Sequence, residues 1–191
     1  MRRVPASRLT ASSAAVFFYD DVKDFIAPKG WFEPTTPPTV YYSSQNVGHV
    51  VRKGIELSGT YAAGQFSTSV SYGLLHAVDK ETNERMNGIT PQSANLKLAY
   101  AFPAQAINVW YRAHWSKGGE SSVEDRATGK NLHFSSFLTH SLGAEWSPKV
   151  ADLAKLQAGI AVVNLFDKEY RMLNGSYGSG RGVRLWLSAQ F

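Results

Sequence analysis

Hydrophobic and polar residues alternate along most of this chain with a period of two, the repeat of an extended strand with one covered face. The final nine residues, VRLWLSAQF, set Val183, Leu185, Leu187, Ala189 and Phe191 against Arg184, Trp186, Ser188 and Gln190. The same alternation marks eight strands, at 13–26, 41–61, 66–77, 94–102, 106–115, 137–146, 156–166 and 182–191. In the fourth, Leu96, Leu98, Tyr100 and Phe102 oppose Asn95, Lys97 and Ala99. In the fifth, Ile107, Val109, Tyr111, Ala113 and Trp115 oppose Asn108, Trp110, Arg112 and His114. The first strand is apolar on both faces around Phe17 and Phe18. No long segment has a helical period, and KVADLAKL at 149–156 offers one turn at most.

Alternation by itself fits a two-sheet sandwich as well as a barrel. The connections break the tie. AAGQ joins the second strand to the third and PAQ the fourth to the fifth, and SPKVADLAK is of medium length. The other connections are long and polar, as in VDKETNERMNGITPQS and SKGGESSVEDRATGKNLHFSS. Short turns at one end and long loops at the other predict an all-β fold of antiparallel transmembrane barrel strands, with periplasmic turns and extracellular loops. Tyr61, Phe66, Tyr100, Phe102, Trp146 and Phe191 all fall at short-turn ends, where aromatic rings favour a membrane interface.

Composition agrees with that picture. The chain has 191 residues, 18% of them charged and 13% aromatic, so it is rich in apolar side chains for its charge. The net charge of +5 comes from scattered basic residues, without the Lys/Arg cluster that nucleic-acid binding requires. There is no cysteine, hence no disulfide or Cys-based zinc site. No apolar run reaches the ~18 residues of a membrane-spanning helix. The N-terminal AAVFFY run is too short and too close to acidic residues for a secretory signal.

Three motifs carry a resemblance. NVGHVVRKGIELSGTY looks like an Asn-x-Gly element followed by a Gly-[Ile/Val]-Glu-Leu strand, and FFYDDVKDFI resembles the aromatic-acidic strand that precedes it. VVNLFDKEYR, a Gly-rich loop and GRGVRLWLSAQF resemble the closing strand pair of the TonB-dependent receptors. The resemblance implies an outer-membrane receptor that imports iron complexes (siderophore or haem) or cobalamin. Such receptors have a 22-stranded barrel around a plug. Residues 1–191 would then be a single partial domain supplying the last eight strands, without plug or signal peptide, and inactive alone. The implied partners are outer-membrane lipid, the barrel-assembly machinery, the rest of the barrel and plug, and the TonB system through that plug. Leu185, Leu187, Ala189 and Phe191 resemble the C-terminal signal read by the assembly machinery. An alternative is a self-contained eight-stranded outer-membrane barrel with a structural or adhesive role; another is a soluble β-sandwich that binds a ligand or partner.

Of the five histidines, His76, His114 and His133 are the candidate contacts to an extracellular ligand, with His49 and His140 also near the long-loop end. None has close metal-ligand spacing, and no bound cofactor or metal is expected. GSYGSGRG at 175–182 lacks the Gly-Lys-Ser/Thr of a phosphate loop, and Asp20, Asp21 and Asp24 lack a calcium-loop pattern. Asp167 and Glu169 read as a strand-to-loop feature rather than a catalytic pair. No nucleophile elbow is present, so no enzyme is expected.

Overall fold

The computed structural model describes residues 9–34, 39–46, 48–149 and 155–190. Twelve strands occur among them: β1 (Leu9–Lys23), β2 (Ile26–Glu33), β3 (Thr39–Asn46), β4 (His49–Ala63), β5 (Phe66–Asp79), β6 (Gln92–Phe102), β7 (Ile107–Ser116), β8 (Gly119–Asp125), β9 (Lys130–Phe134), β10 (Phe137–Trp146), β11 (Lys155–Val163) and β12 (Gly182–Gln190). Eight of them form one antiparallel sheet in the order β1-β4-β5-β6-β7-β10-β11-β12. These are the eight strands read from the alternation. Within the described residues β1 and β12 are the two edges and the sheet is not closed. The KVADLAKL segment lies mostly outside the described residues.

Because paired residues in a ladder share a face, the register carries the apolar stripe from strand to strand. Tyr61, Thr68, Leu98, Tyr111, Leu142, Val162 and Val183 form one such row. The ambiguous first strand resolves the same way. Phe17 pairs with Ile55 on the apolar face, while Phe18 pairs with Gly54 on the other. Gly54 is required there, since a Cβ would meet the Phe18 ring. The apolar face is not covered by the protein: Leu185 and Leu187 are 75% and 76% exposed, and Leu57, Val70, Leu138 and Ile160 are exposed too. A sandwich would bury this face under its second sheet; here the second sheet leaves it bare.

That second sheet is where the fold departs from the pattern. The long connections are not plain loops: β3, β2, β8 and β9 form a four-stranded sheet at the long-loop end. The predicted strand 41–61 is two strands in two sheets, separated near Gly48, whose φ is +35°. The predicted strand 13–26 ends at Lys23, because Asp24 takes a φ of +55° and turns the chain into β2. The predicted 156–166 strand ends at Val163, where Asn164 has a φ of +48°. The short connections are as expected. Gly64 and Gln65 alone turn β4 into β5, and residues 103–106 turn β6 into β7.

At the short-turn end the exposed rings of Tyr61, Phe66, Tyr100, Phe102 and Trp146 form a belt. Tyr100 and Phe102 meet edge-on at 4.9 Å, and the Tyr100 hydroxyl donates to Gln65 Oε1 at 2.9 Å. Apolar rings with polar tips at one level are the arrangement a membrane interface selects.

Candidate functional site

The polar face of the large sheet is one continuous wall. Ser12, Thr60, Ser69, Lys97, Arg112 and Ser141 form a single register row across six strands. One step toward the long loops, Ser58, Ser71, Asn95, His114 and Thr139 form the next. Side chains within these rows bond to one another. Ser12 and Thr60 hydroxyls are 2.6 Å apart, Asn95 Nδ2 donates to Ser71 Oγ at 3.1 Å, and His114 Nδ1 lies 2.8 Å from Asn95 Oδ1. Such a surface is built for water or polar protein rather than lipid.

Two indoles cover glycines on this wall. Trp110 covers Gly143 and Trp186 covers Gly159, and in each case a Cβ on the glycine would overlap the ring. Arg112 in turn lies over Trp110, 4.7 Å from the ring centroid.

The long loops are tied together above the wall. Ser121 is fully buried; its hydroxyl donates to Leu173 O at 2.7 Å and accepts from Val123 N at 3.0 Å. Gly88 N donates to Glu120 O at 3.0 Å, and Arg126 pairs with Glu33. Asn164 organises the NLFDKEY segment. Its Nδ2 donates to Lys168 O and Ser179 O, and its Oδ1 accepts from Lys168 N, all at 2.9 Å. Asp167 Oδ1 accepts from Arg181 N at 2.7 Å, so this carboxylate closes the loop as a strand-to-loop element.

Between these loops lies a cavity of about 700 Å³. Phe137, at the top of β10, stacks on Tyr170 with centroids 4.1 Å apart. The Arg171 guanidinium lies over Tyr177 at 3.9 Å and near Phe134 at 5.7 Å. His133 also lines this space, its Nδ1 3.1 Å from Glu120 Oε1. Asp167, Lys168 and Glu169 line it too, so rings interleaved with charges of both signs can hold a planar ligand that carries polar groups at its edge.

The three candidate histidines do not meet. His133 is in the cavity, His114 is lower on the polar wall beside Phe137 at 5.8 Å, and His76 pairs with Lys53 on the apolar face. His140 is on the apolar face too, 2.5 Å from the Tyr111 hydroxyl. The described residues hold no cluster of three His, Asp or Glu suited to a metal. The aromatic group Phe134, Phe137, Tyr170, Arg171 and Tyr177 escaped the sequence reading, because it joins residues from two separate loops and has no local spacing. Leu185, Leu187 and Ala189 lie on the apolar face of edge strand β12; Phe191 is outside the described residues.

Residues 5–165 match the family model described as TonB dependent receptor-like, beta-barrel. Among curated proteins, the chain is similar to the heme/hemopexin utilization protein C of Haemophilus influenzae (strain 86-028NP). The two are 23% identical over 175 residues, covering 90% of this chain and 24% of the relative. The chain thus spans about a quarter of the length of that relative. Among solved structures, it resembles the copper transporter OprC (TM-score 0.67, 18% identity, covering 93% of this chain and 28% of that one). It also resembles the FrpB iron transporter of Neisseria meningitidis, F3-3 variant (TM-score 0.66, 22% identity, 92% and 28% covered). By strand order, by its two opposed faces and by this match, the chain belongs to the TonB-dependent receptor-like β-barrel family.

Proposed function

We propose that this chain forms wall and extracellular mouth of an outer-membrane receptor that takes up an iron complex, haem first among the candidates, with TonB as the energy source. The apolar face lies in lipid and the polar wall lines the lumen. The terminal strand, with Leu185, Leu187, Ala189 and Phe191, carries the signal for the barrel-assembly machinery. The open edges of β1 and β12 favour pairing with further strands over a self-contained barrel. TonB acts through a plug that the completed barrel surrounds.

The observation that carries the ligand class is the cavity at the mouth. Phe134, Phe137, Tyr170 and Tyr177 provide rings, Lys168 and Arg171 provide positive charge beside the carboxylates of Asp167 and Glu169, and His133 provides an imidazole. Haem is flat, apolar over most of its area and anionic at its propionates, and imidazole is a common ligand for its iron. The haem-utilising relative supports this choice.

The test is uptake of iron from haem in iron-starved cells lacking the gene, complemented with wild type or with Arg171→Ala/Tyr177→Ala. Wild type should restore haem-dependent growth, and the double variant should need at least about tenfold more haem, since two stacking contacts are removed. Equal growth with and without the gene would refute the reading.

A further inference from the structure

Lys97 and Arg112 sit directly opposite each other in the β6–β7 ladder, on the polar wall and near the middle of both strands. Like charges at one register position destabilise a sheet. Neither cation has a carboxylate partner among the described residues. Glu145, on the same wall, instead accepts from Gln157 Nε2 at 3.3 Å. The guanidinium is nevertheless held in place, 4.7 Å over the Trp110 ring. Trp110 is only 6% exposed, and its Nε1 has no hydrogen-bond acceptor. The wall therefore presents two cations, one of them held on an indole, and the hydroxyls of Ser69 and Ser141 around one hollow.

That place belongs to a row of hollows that begins at the mouth. A hollow of about 330 Å³ contains Lys97, Arg112 and His114. It shares Arg112, Thr139 and Ser141 with a second hollow of about 460 Å³, which reaches Tyr170. Tyr170 is also a wall of the large cavity among the extracellular loops. Neighbouring in this order, the three spaces lie along a track down the wall, with Tyr170 between the upper two.

We propose that Lys97 and Arg112 form an anion station, which takes a carboxylate of a ligand moving inward along this track. The proposal rests on the uptake reading and adds to it that the cargo travels along this wall, charge first. A bound carboxylate would remove the repulsion between the cations and accept from the Arg112 guanidinium, which Trp110 already holds in position.

Ser141 pairs with Arg112, and the chain has no cysteine, so Ser141→Cys places a single reporter thiol of this chain beside the station. The full gene product carrying this change is assayed in outer-membrane vesicles with sulfonate-bearing and ammonium-bearing methanethiosulfonates. The anionic reagent should react about tenfold faster than the cationic one, after correction for their intrinsic rates. Lys97→Gln/Arg112→Gln should abolish that preference. Iron protoporphyrin IX should protect the thiol, and its dimethyl ester, which lacks the charges, should not. Equal labelling rates would overturn the proposal. So would a preference with no protection, because the cations would then answer a fixed protein carboxylate, and so would equal protection by acid and ester. Haem absorbance in the same vesicles reports capture separately. If no iron protoporphyrin binds, the haem reading fails, and protection by citrate decides the station: protection supports it and none refutes it.

Discussion

Trp186 lies across Gly159 in the β11–β12 ladder, so closely that the glycine has no room for a side chain. Trp110 and Gly143 repeat the arrangement in the β7–β10 ladder. The two glycines are thus seats for indoles on the lumenal wall, and the rings restore the contact area that glycine lacks.

Gly159→Val should therefore lift Trp186 from the wall. Overpacking of this kind costs about 1–3 kcal/mol. Denaturant unfolding of the protein in vesicles should show that loss, with a red shift of tryptophan emission before unfolding begins. An unchanged midpoint and spectrum would mean that the ring is not seated on the glycine.

Leu98 and Lys97 are neighbours in sequence on opposite faces of β6. Leu98→Arg puts a charge against the hydrocarbon and should cost about 2–4 kcal/mol if it sits near the midplane. Lys97→Leu should cost little, since it removes a repulsion with Arg112 instead of burying a charge. Denaturant midpoints of the two variants compare them directly, and the reverse order would exchange the two faces.

Asn164 is buried and makes three hydrogen bonds that close the loop after β11, with a φ of +48° that asparagine tolerates better than alanine. Asn164→Ala should weaken the closed loop by about 2 kcal/mol, or roughly thirtyfold in opening. Hydrogen exchange at the Lys168 amide should quicken by that factor, whereas exchange in β6 and β7 should not change. Unaltered protection of Lys168 would show that the loop is held by other contacts.

The barrel sheet was legible because lipid on one side and water on the other impose strict alternation on every strand, so that Leu96 to Phe102 can be read residue by residue. The parity of those strands also separates His76 from His114: counting in twos from Phe66 puts His76 on the apolar face. The loop sheet was not legible. GESSVED in β8 and KNLHF in β9 are short and mostly polar, and they pair through contacts that sequence spacing does not encode. YYSSQN and VGHVV read as one strand, because the left-handed Gly48 near their junction leaves no mark in the alternation of the sequence. The mouth cavity was hidden for a related reason. Phe137 and Tyr170 come from separate connections, and only the fold of both loops brings their rings together.

Which face of the large sheet meets lipid is reported by its tryptophans. Trp115 and Trp146 are on the apolar face, and Trp110 and Trp186 are on the polar wall. The decisive measurement is fluorescence quenching of single-tryptophan variants in vesicles made with brominated lipid. Trp115 and Trp146 should be strongly quenched, and Trp110 and Trp186 should be nearly untouched. Quenching of Trp110 and Trp186 instead, or of all four alike, would contradict a barrel wall with a lipid face and a lumenal face.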